Sequence, residues 1–419
     1  MKRVIFFLIF FTASFIVSSQ IGSSSPYSFA GLGETNFRGN QINRFMGGID
    51  IYNDSIHANL NNPASYGDLK MVTYSLGLNY KVSNLSDKES SFKATNSSLD
   101  YLGIAIPTGK FGFGFGLVPF SSVGYRLQGR NDLLNSDILN RFEGSGGINR
   151  VFFSFGFRFA KYFSIGATFN YGFGEITYRS SKIIDNIDLA TILQNKSSLS
   201  GLNYQITSNF KLPITSKIDF HLMYSLSPEA NIKSKNSRIY ITDSQDNINI
   251  GADFEEVDLS ISGLSNTKIN FSEIKALGVG FSQEKKWFFG GQYSIVYSEN
   301  FKNDFIQIPN LMYQNGTRIS VGGFFIPNYS SLTDYWKRIV FRMGYRHETS
   351  GIVVNNFVLR ETGITFGLGL PMSGYSNTNI GIELGKRGSV ENDLVMERFW
   401  SLRIGFSLND IWFIKRKYN

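Results

Sequence analysis

The chain has 419 residues, with 41 lysines and arginines against 33 acids, a formal charge of +8, 42 glycines, 39 phenylalanines, 21 tyrosines, 9 prolines and no cysteine. The missing cysteines exclude disulfides, thiol catalysis, cysteine zinc sites and a lipid-modified N-terminal cysteine. No basic run with interleaved aromatics precedes Lys415-Arg416-Lys417, so the charge does not point to nucleic acid.

Residues 1–20 have the order of a secretory signal peptide. Lys2 and Arg3 precede the apolar stretch Val4 to Phe11, and small residues follow around Ser18 and Ser19. Removing it leaves 39 bases and 33 acids, a balance of +6. Its apolar core is short for a membrane helix, and no later apolar run reaches the roughly 18 residues that a spanning helix needs. Export with no later stop signal implies the periplasm, the outer membrane or beyond.

Residues 21–70 lack strand alternation. Ser23 to Pro26, Ala30 to Gly33, Arg44 to Gly48 and Asn61 to Ser65 are turn sequences. Apolar Phe29, Leu32, Phe45, Met46, Ile49, Ile51 and Leu60 predict packing rather than a disordered leader. From Met71 to the end, apolar and polar residues alternate with the period of two that a strand imposes. About fourteen strands are predicted, the first over Met71–Val82, the third over Phe111–Leu127 and the last over Phe399–Phe413. Short turns at Pro107–Lys110, Lys161–Tyr162, Ile214–Lys217 and Glu284–Lys286 alternate with long polar segments at Ser83–Ser98, Gln128–Gly147, Ile184–Ser198 and Lys233–Ser272. That asymmetry belongs to outer-membrane barrels with short periplasmic turns, and strand parity places both termini and the N-terminal segment on the periplasmic side. The fold class is therefore all-β, a transmembrane antiparallel β-barrel of about fourteen strands spanning 71–419, with residues 21–70 as an N-terminal plug.

The pleat assigns faces. Trp400, Leu402, Ile404, Phe406 and Leu408 alternate with Ser401, Arg403, Gly405 and Ser407, and Ile364, Phe366 and Leu368 alternate with Gly363, Thr365 and Gly367. Arginine on a lipid face near the midplane costs about 2–4 kcal/mol, so the charged face looks into the lumen. Arg338, Arg342, Arg346, Glu361, Glu383 and Arg403 are the lumen charges. Two readings are open for them, pairing across strands and a selectivity role. In the third strand Pro119 removes a ladder donor, with Gly116, Ser121 and Ser122 nearby. It implies either a bulge or a lateral gap through which a hydrophobic molecule leaves the lumen.

Ser28 to Gly33, Met46-Gly47-Gly48 and Asn62-Pro63-Ala64, followed by the first strand and the proline-kinked third strand, resemble the FadL family of long-chain fatty-acid outer-membrane transporters. The resemblance implies that residues 21–70 form a hatch, with Met46, Gly47, Gly48, Asn62, Pro63 and Ala64 as its motif and Asn62 to Ala64 near the gap. The chain departs from the family at Ile49 to Ile56, where a small, acidic stretch is usual. Glu143 to Gly147 and Ser407 to Phe413 are similar to Bacteroidetes members, including the PorV-like barrels of type IX secretion. The implied function is passive passage of fatty-acid-like hydrophobic compounds, captured by Leu133, Leu134, Ile138 and Leu139 and released laterally. The alternative is a non-transporting partner barrel in outer-membrane machinery such as the type IX translocon. Expected partners are outer-membrane lipid, a hydrophobic ligand and, in the alternative, another outer-membrane protein. No cofactor or enzyme activity is expected. His57, His221 and His347 are too scattered for a metal, and Gly112, Gly114 and Gly116 alternate with Phe inside one strand, which is not a phosphate loop.

Overall fold

The computed structural model describes residues 22–133, 136–185, 187, 189–244, 253–372 and 374–412. Residues 1–20, read as a signal peptide, and Lys415 to Lys417 lie outside them.

Fourteen wall strands form one closed antiparallel sheet. They are β1 (Val72–Ser86), β2 (Ser91–Thr108), β3 (Phe111–Leu133), β4 (Ser136–Ala160) and β5 (Phe163–Ile184). Next come β6 (Leu189–Pro213), β7 (Asp219–Ser227), β8 (Glu273–Gln283), β9 (Trp287–Tyr297) and β10 (Gly316–Phe325). The last four are β11 (Val340–Val354), β12 (Phe357–Pro371), β13 (Asn377–Arg387) and β14 (Met396–Asp410). The cylinder closes where β14 pairs with β1, from Met396 opposite Ser86 to Asp410 opposite Val72. Alternation has its cause in the two environments. Ile364 and Phe366 stand outward, 40% and 46% exposed, while Thr365 between them is fully buried toward the lumen.

The segments expected as long loops are mostly strand. β1 and β2 run on to Ser86 and Ser91, and β3 and β4 to Leu133 and Ser136. Above β7 the ladder continues as Ala230–Ser244, paired with the upper part of β6 and with Asp253–Glu256 and Asn266–Phe271. These stretches extend the wall beyond the apolar band, with Asn96, Ile138 and Ile232 still buried on the inner face. The hydrophobic alternation vanishes there although the hydrogen-bond ladder does not.

Arg338 is not on a wall strand. It ends a short 3-10 turn, Tyr335–Arg338, in the β10–β11 connection at the short-turn mouth, where Ile339 is buried rather than lipid-facing. The turn closes with the Ile339 amide donating to the Trp336 carbonyl at 3.4 Å, so the strand begins only at Val340.

The N-terminal segment lies inside the cylinder, and its first residues are not at the short-turn end as parity implied. Tyr27 donates to the Val395 carbonyl at 2.5 Å and Ser25 to Glu397 at 2.8 Å, both at the long-strand end of β14. From there the segment descends through a helical turn, Gln41–Arg44, and a 3-10 turn, Pro63–Asp68, to the start of β1.

Candidate functional site

Glycines in the wall make the seats on which the N-terminal segment rests. Gly322 and Gly344 face each other across β10 and β11, and Gly367 and Gly381 across β12 and β13. A Cβ at Gly344 would lie 2.0 Å from the Gly47 nitrogen, one at Gly322 2.3 Å from the Met46 oxygen, and one at Gly381 2.4 Å from the Phe45 ring. Gly47, at φ +75°, adopts a backbone that only glycine takes readily. Its amide donates to Thr365 Oγ1 at 3.2 Å. Ile49 and Ile51, the residues that depart from the family pattern, are buried with Met46 against Met223, Phe288 and Phe324. Each such burial stabilises by roughly 1.5–3 kcal/mol.

A second seat takes Asn62, Pro63 and Ala64. Gly112, Gly156 and Gly166 adjoin in register across β3, β4 and β5, and a Cβ at Gly156 would meet the Pro63 oxygen at 2.3 Å. Asn62 exchanges amide hydrogen bonds of 3.1 Å with Asn209 on β6. The expected place for Asn62 to Ala64, beside the interruption in β3, is therefore corrected. The residues there are Leu32 to Asn36.

The interruption itself is well defined. β2 and β3 pair only from Thr108 opposite Phe111 to Leu102 opposite Leu117. Above that, β2 stays on β1 and β3 stays on β4, with a register shift between Pro119 and Ser121. Proline has no amide to give, and Phe120 is the extra residue of the resulting bulge. Glu34–Thr35 fills the vacated register, opposite Ser122 and Ser121. Asn36 donates its amide to the Phe120 carbonyl at 2.9 Å, and Ser121 its hydroxyl to the Leu32 carbonyl at 2.7 Å. Ser121 and Ser122 thus lie at the seam, whereas Gly116 lies below it, paired with Gly103 in the closed ladder. A Cβ at Gly116 would be 2.2 Å from the Leu102 oxygen, so strand packing accounts for that glycine.

Four of the lumen charges, Arg346, Glu361, Glu383 and Arg403, join in one buried network. Arg346 contacts Glu361 and Glu383, and Arg403 reaches Asp100 at 2.5 Å and Glu383 at 3.2 Å. The N-terminal segment ties into it. Arg38 meets Glu348 at 2.5 Å and Glu361 at 3.3 Å, Arg44 meets Glu383 at 3.1 Å, and Glu34 meets Arg387 at 2.8 Å and Lys81 at 3.2 Å. Lys81 and Arg387 also hold Glu397, and Arg318 holds Glu348. Burial alone would raise the Glu34 carboxyl and lower the Arg44 guanidinium; Arg387 and Lys81 hold Glu34 well below its usual range, while Arg44 comes down to about 10. Arg342 stands apart, donating to Asn379 at 2.8 Å. Sequence reasoning missed Lys81, Asp100, Arg387 and Glu397. Their signal was present: Arg387 and Glu397 lie an even number of residues from Glu383 and Arg403 and so share the lumen face. Glu34, Arg38 and Arg44 carry no such periodic signal.

Toward the long-strand end, Val123, Ile148, Ile176, Tyr178, Leu199 and Ile232 make an apolar lumen lining that Leu32, Phe120 and Phe301 join. It adjoins a cavity of about 230 Å³ bordered by Phe29, Tyr178, Phe301, Ile306 and Tyr313. Of the four expected capture residues, Ile138 is buried and Leu139 half-buried. Leu134 and the Leu133 side chain lie outside the described residues. The histidines are far apart in partners: His57 with Asp54, His221 with Ser282, His347 with Thr362. Among the described residues no cluster of three or more His, Cys, Asp or Glu is placed to hold a metal.

Solved structures share this architecture. The Ralstonia pickettii toluene transporter TbuX is 11% identical, with a TM-score of 0.58 over 91% of this chain and 99% of that one. The P. putida toluene transporter TodX is 14% identical, with a TM-score of 0.57 over 89% and 99%. A Pseudomonas aeruginosa FadL homologue is 12% identical, with a TM-score of 0.56 over 90% and 99%. At these identities the likeness is one of fold. No curated protein matches. A family model described as BamG matches residues 1–419, the whole sequence, and the chain belongs to the BamG family.

Proposed function

We propose that this chain is an outer-membrane barrel of a Gram-negative bacterium, exported by residues 1–20, that passes small hydrophobic compounds sideways into lipid. The apolar lining beside the cavity carries the reading, because Leu32 and Phe120 belong both to that lining and to the seam beyond Pro119. A compound entering at Phe29 and Phe301 would move along buried apolar surface to the β2–β3 interruption, with residues 21–70 acting as the hatch beneath it. No covalent chemistry is required, since transfer into hydrocarbon is driven by burial of apolar surface. Toluene is a natural probe, given the transporters that share the fold. Pro119→Val restores a ladder donor and is expected to cut uptake of labelled toluene by cells carrying the protein. Undiminished uptake would count against lateral release.

A second reading, a partner barrel in outer-membrane machinery such as the type IX secretion translocon, is favoured by one observation. Arg38, Arg44 and Glu34 anchor the N-terminal segment in buried ion pairs, so nothing in the lumen needs to move. Extraction in mild detergent separates the two. A stoichiometric large partner supports the second reading, and an isolated monomer carrying hydrophobic compound supports the first.

A further inference from the structure

The short-turn mouth of the barrel opens into a cavity of about 590 Å³, the size of small-molecule sites. Its roof is the N-terminal segment from Tyr52 to His57, with Ile42, and its walls include Phe324, Val340, Arg342 and Gly369. It is separate from the seam, which lies on the other side of that segment.

Arg342 is the informative side chain. It is 6% exposed, and among the described residues it makes no ion pair. One nitrogen donates to Asn379, while its Nε is buried without a partner. A buried guanidinium is costly unless an acceptor meets it. The carboxylate whose charge acts on it, Asp54, is already engaged by three other donors. It accepts the amides of Ile56 at 2.9 Å and His57 at 2.7 Å, and the His57 ring nitrogen lies 2.5 Å from its other oxygen. Gly369 keeps space for the guanidinium, since a Cβ there would fall 2.6 Å from an Arg342 terminal nitrogen.

The remaining charges of the cavity lean the same way. Asp68 and Asp219 are taken up by Arg158 at 3.7 Å and Lys211 at 3.3 Å. Arg338 and Lys285 stand at the rim over the rings of Tyr335 and Tyr329, each 5.4 Å from the centroid, with Glu284 as the one acid among them. Arg338 also has a buried Nε with no partner. Beside this cationic set lie Ile42, Tyr52, Phe324 and Val340, so a ligand matching the cavity joins a negative fork-binding head to an apolar body.

We propose that this mouth is a binding site for an apolar carboxylate, its head on Arg342 and Arg338 and its body against Ile42, Tyr52, Phe324 and Val340. A free fatty acid and the terminal residue of an extended polypeptide share that chemistry. The site is independent of whether the seam passes anything.

The test is equilibrium binding to the full chain in non-ionic detergent at pH 8. The probes are octanoate and N-acetyl-L-phenylalanine, each against its neutral amide. At least one acid is expected to bind about tenfold more tightly than its amide, the scale of charge-assisted hydrogen bonds. Arg342→Gln should abolish the preference. Arg338→Gln, at the rim, should reduce it severalfold while leaving amide binding unchanged. Heat-modifiable migration reports folding, and if Arg342→Gln fails it, Arg338→Gln and the amide comparison decide. Octanoate alone binding assigns a fatty acid, and the acetylated amino acid alone assigns a chain terminus. Neither acid binding, acids and amides binding equally, or a preference undiminished by Arg338→Gln overturns the proposal.

Discussion

Gly344 and Gly322 hold their places because the backbone of Met46 and Gly47 occupies the volume a side chain would need. Valine at 344 is therefore expected to force the N-terminal segment off its seat, at the roughly 1–3 kcal/mol typical of overpacking. The readout is protease cleavage within residues 40–50 and a lowered unfolding temperature. Gly129→Ala, where an added Cβ meets nothing within 4 Å, is the control and should change neither. Asp50 makes a different kind of claim. Burial pushes its carboxyl up to about 7, against the opposing influence of Gln292, Arg318 and Asn61, and one of its oxygens has no partner. The folded protein thus holds this proton more tightly than the unfolded chain does. The stability it contributes is full below the ordinary carboxylate range and is lost as pH rises through about 7. Hydrogen exchange of the Ile49–Tyr52 amides should accelerate between pH 4 and 7 more in the wild type than in Asp50→Asn. Equal acceleration in both would dismiss the assignment.

At the scale of elements, the ion-pair network runs across β10 to β14, β1 and β2 and reaches the seam through Glu34. Glu383 on β13 meets Arg346, Arg44 and Arg403 with no exposed surface. Removing its charge strands Arg44 and leaves Arg346 with Glu361 and Arg403 with Asp100, and Glu383→Gln is expected to cost about 3–5 kcal/mol in chemical unfolding. Lys88→Ala, which breaks an exposed pair with Asp393, is expected to leave the unfolding midpoint unchanged. Much of this was legible in the alternation, which works where one face meets hydrocarbon and the other the lumen. Arg342, Arg346, Glu361, Glu383 and Arg403 all fall on the inner face as the pleat requires. The same signal fails for Ser91 to Ser98, which is strand with polar residues on both faces. It overshoots at Arg338, where the residue pattern runs on through a turn. The N-terminal segment was legible as packed but not as placed, because its partners are set by contacts such as Arg38 with Glu348, more than 300 residues away in the chain. Pro119 was readable as a break, but nothing local announces that Glu34–Thr35 fills it.

For the whole molecule, the wall and its content are separable in charge. Without the N-terminal segment, the network keeps five cations, Lys81, Arg318, Arg346, Arg387 and Arg403, and five acids, Asp100, Glu348, Glu361, Glu383 and Glu397. Every one of those acids retains a cation on the wall itself, and the hydrogen-bond ladder closes through β14 and β1 without help from inside. What the segment supplies is filling: Phe45, Met46, Ile49 and Tyr66 occupy the lumen of a cylinder whose strand number otherwise leaves room for water. A chain lacking residues 22–70 behind the same signal is therefore expected to fold as a heat-modifiable barrel and to conduct ions in a planar bilayer. The intact protein under the same conditions should show far smaller currents or none. Because the network balances while Arg342 and the rim cations of the short-turn mouth do not, the open barrel should favour anions weakly over cations, read from the sign of a small reversal potential across a salt gradient. A truncated barrel that folds but stays closed would mean that the wall collapses inward, and that residues 22–70 hold it open rather than fill it.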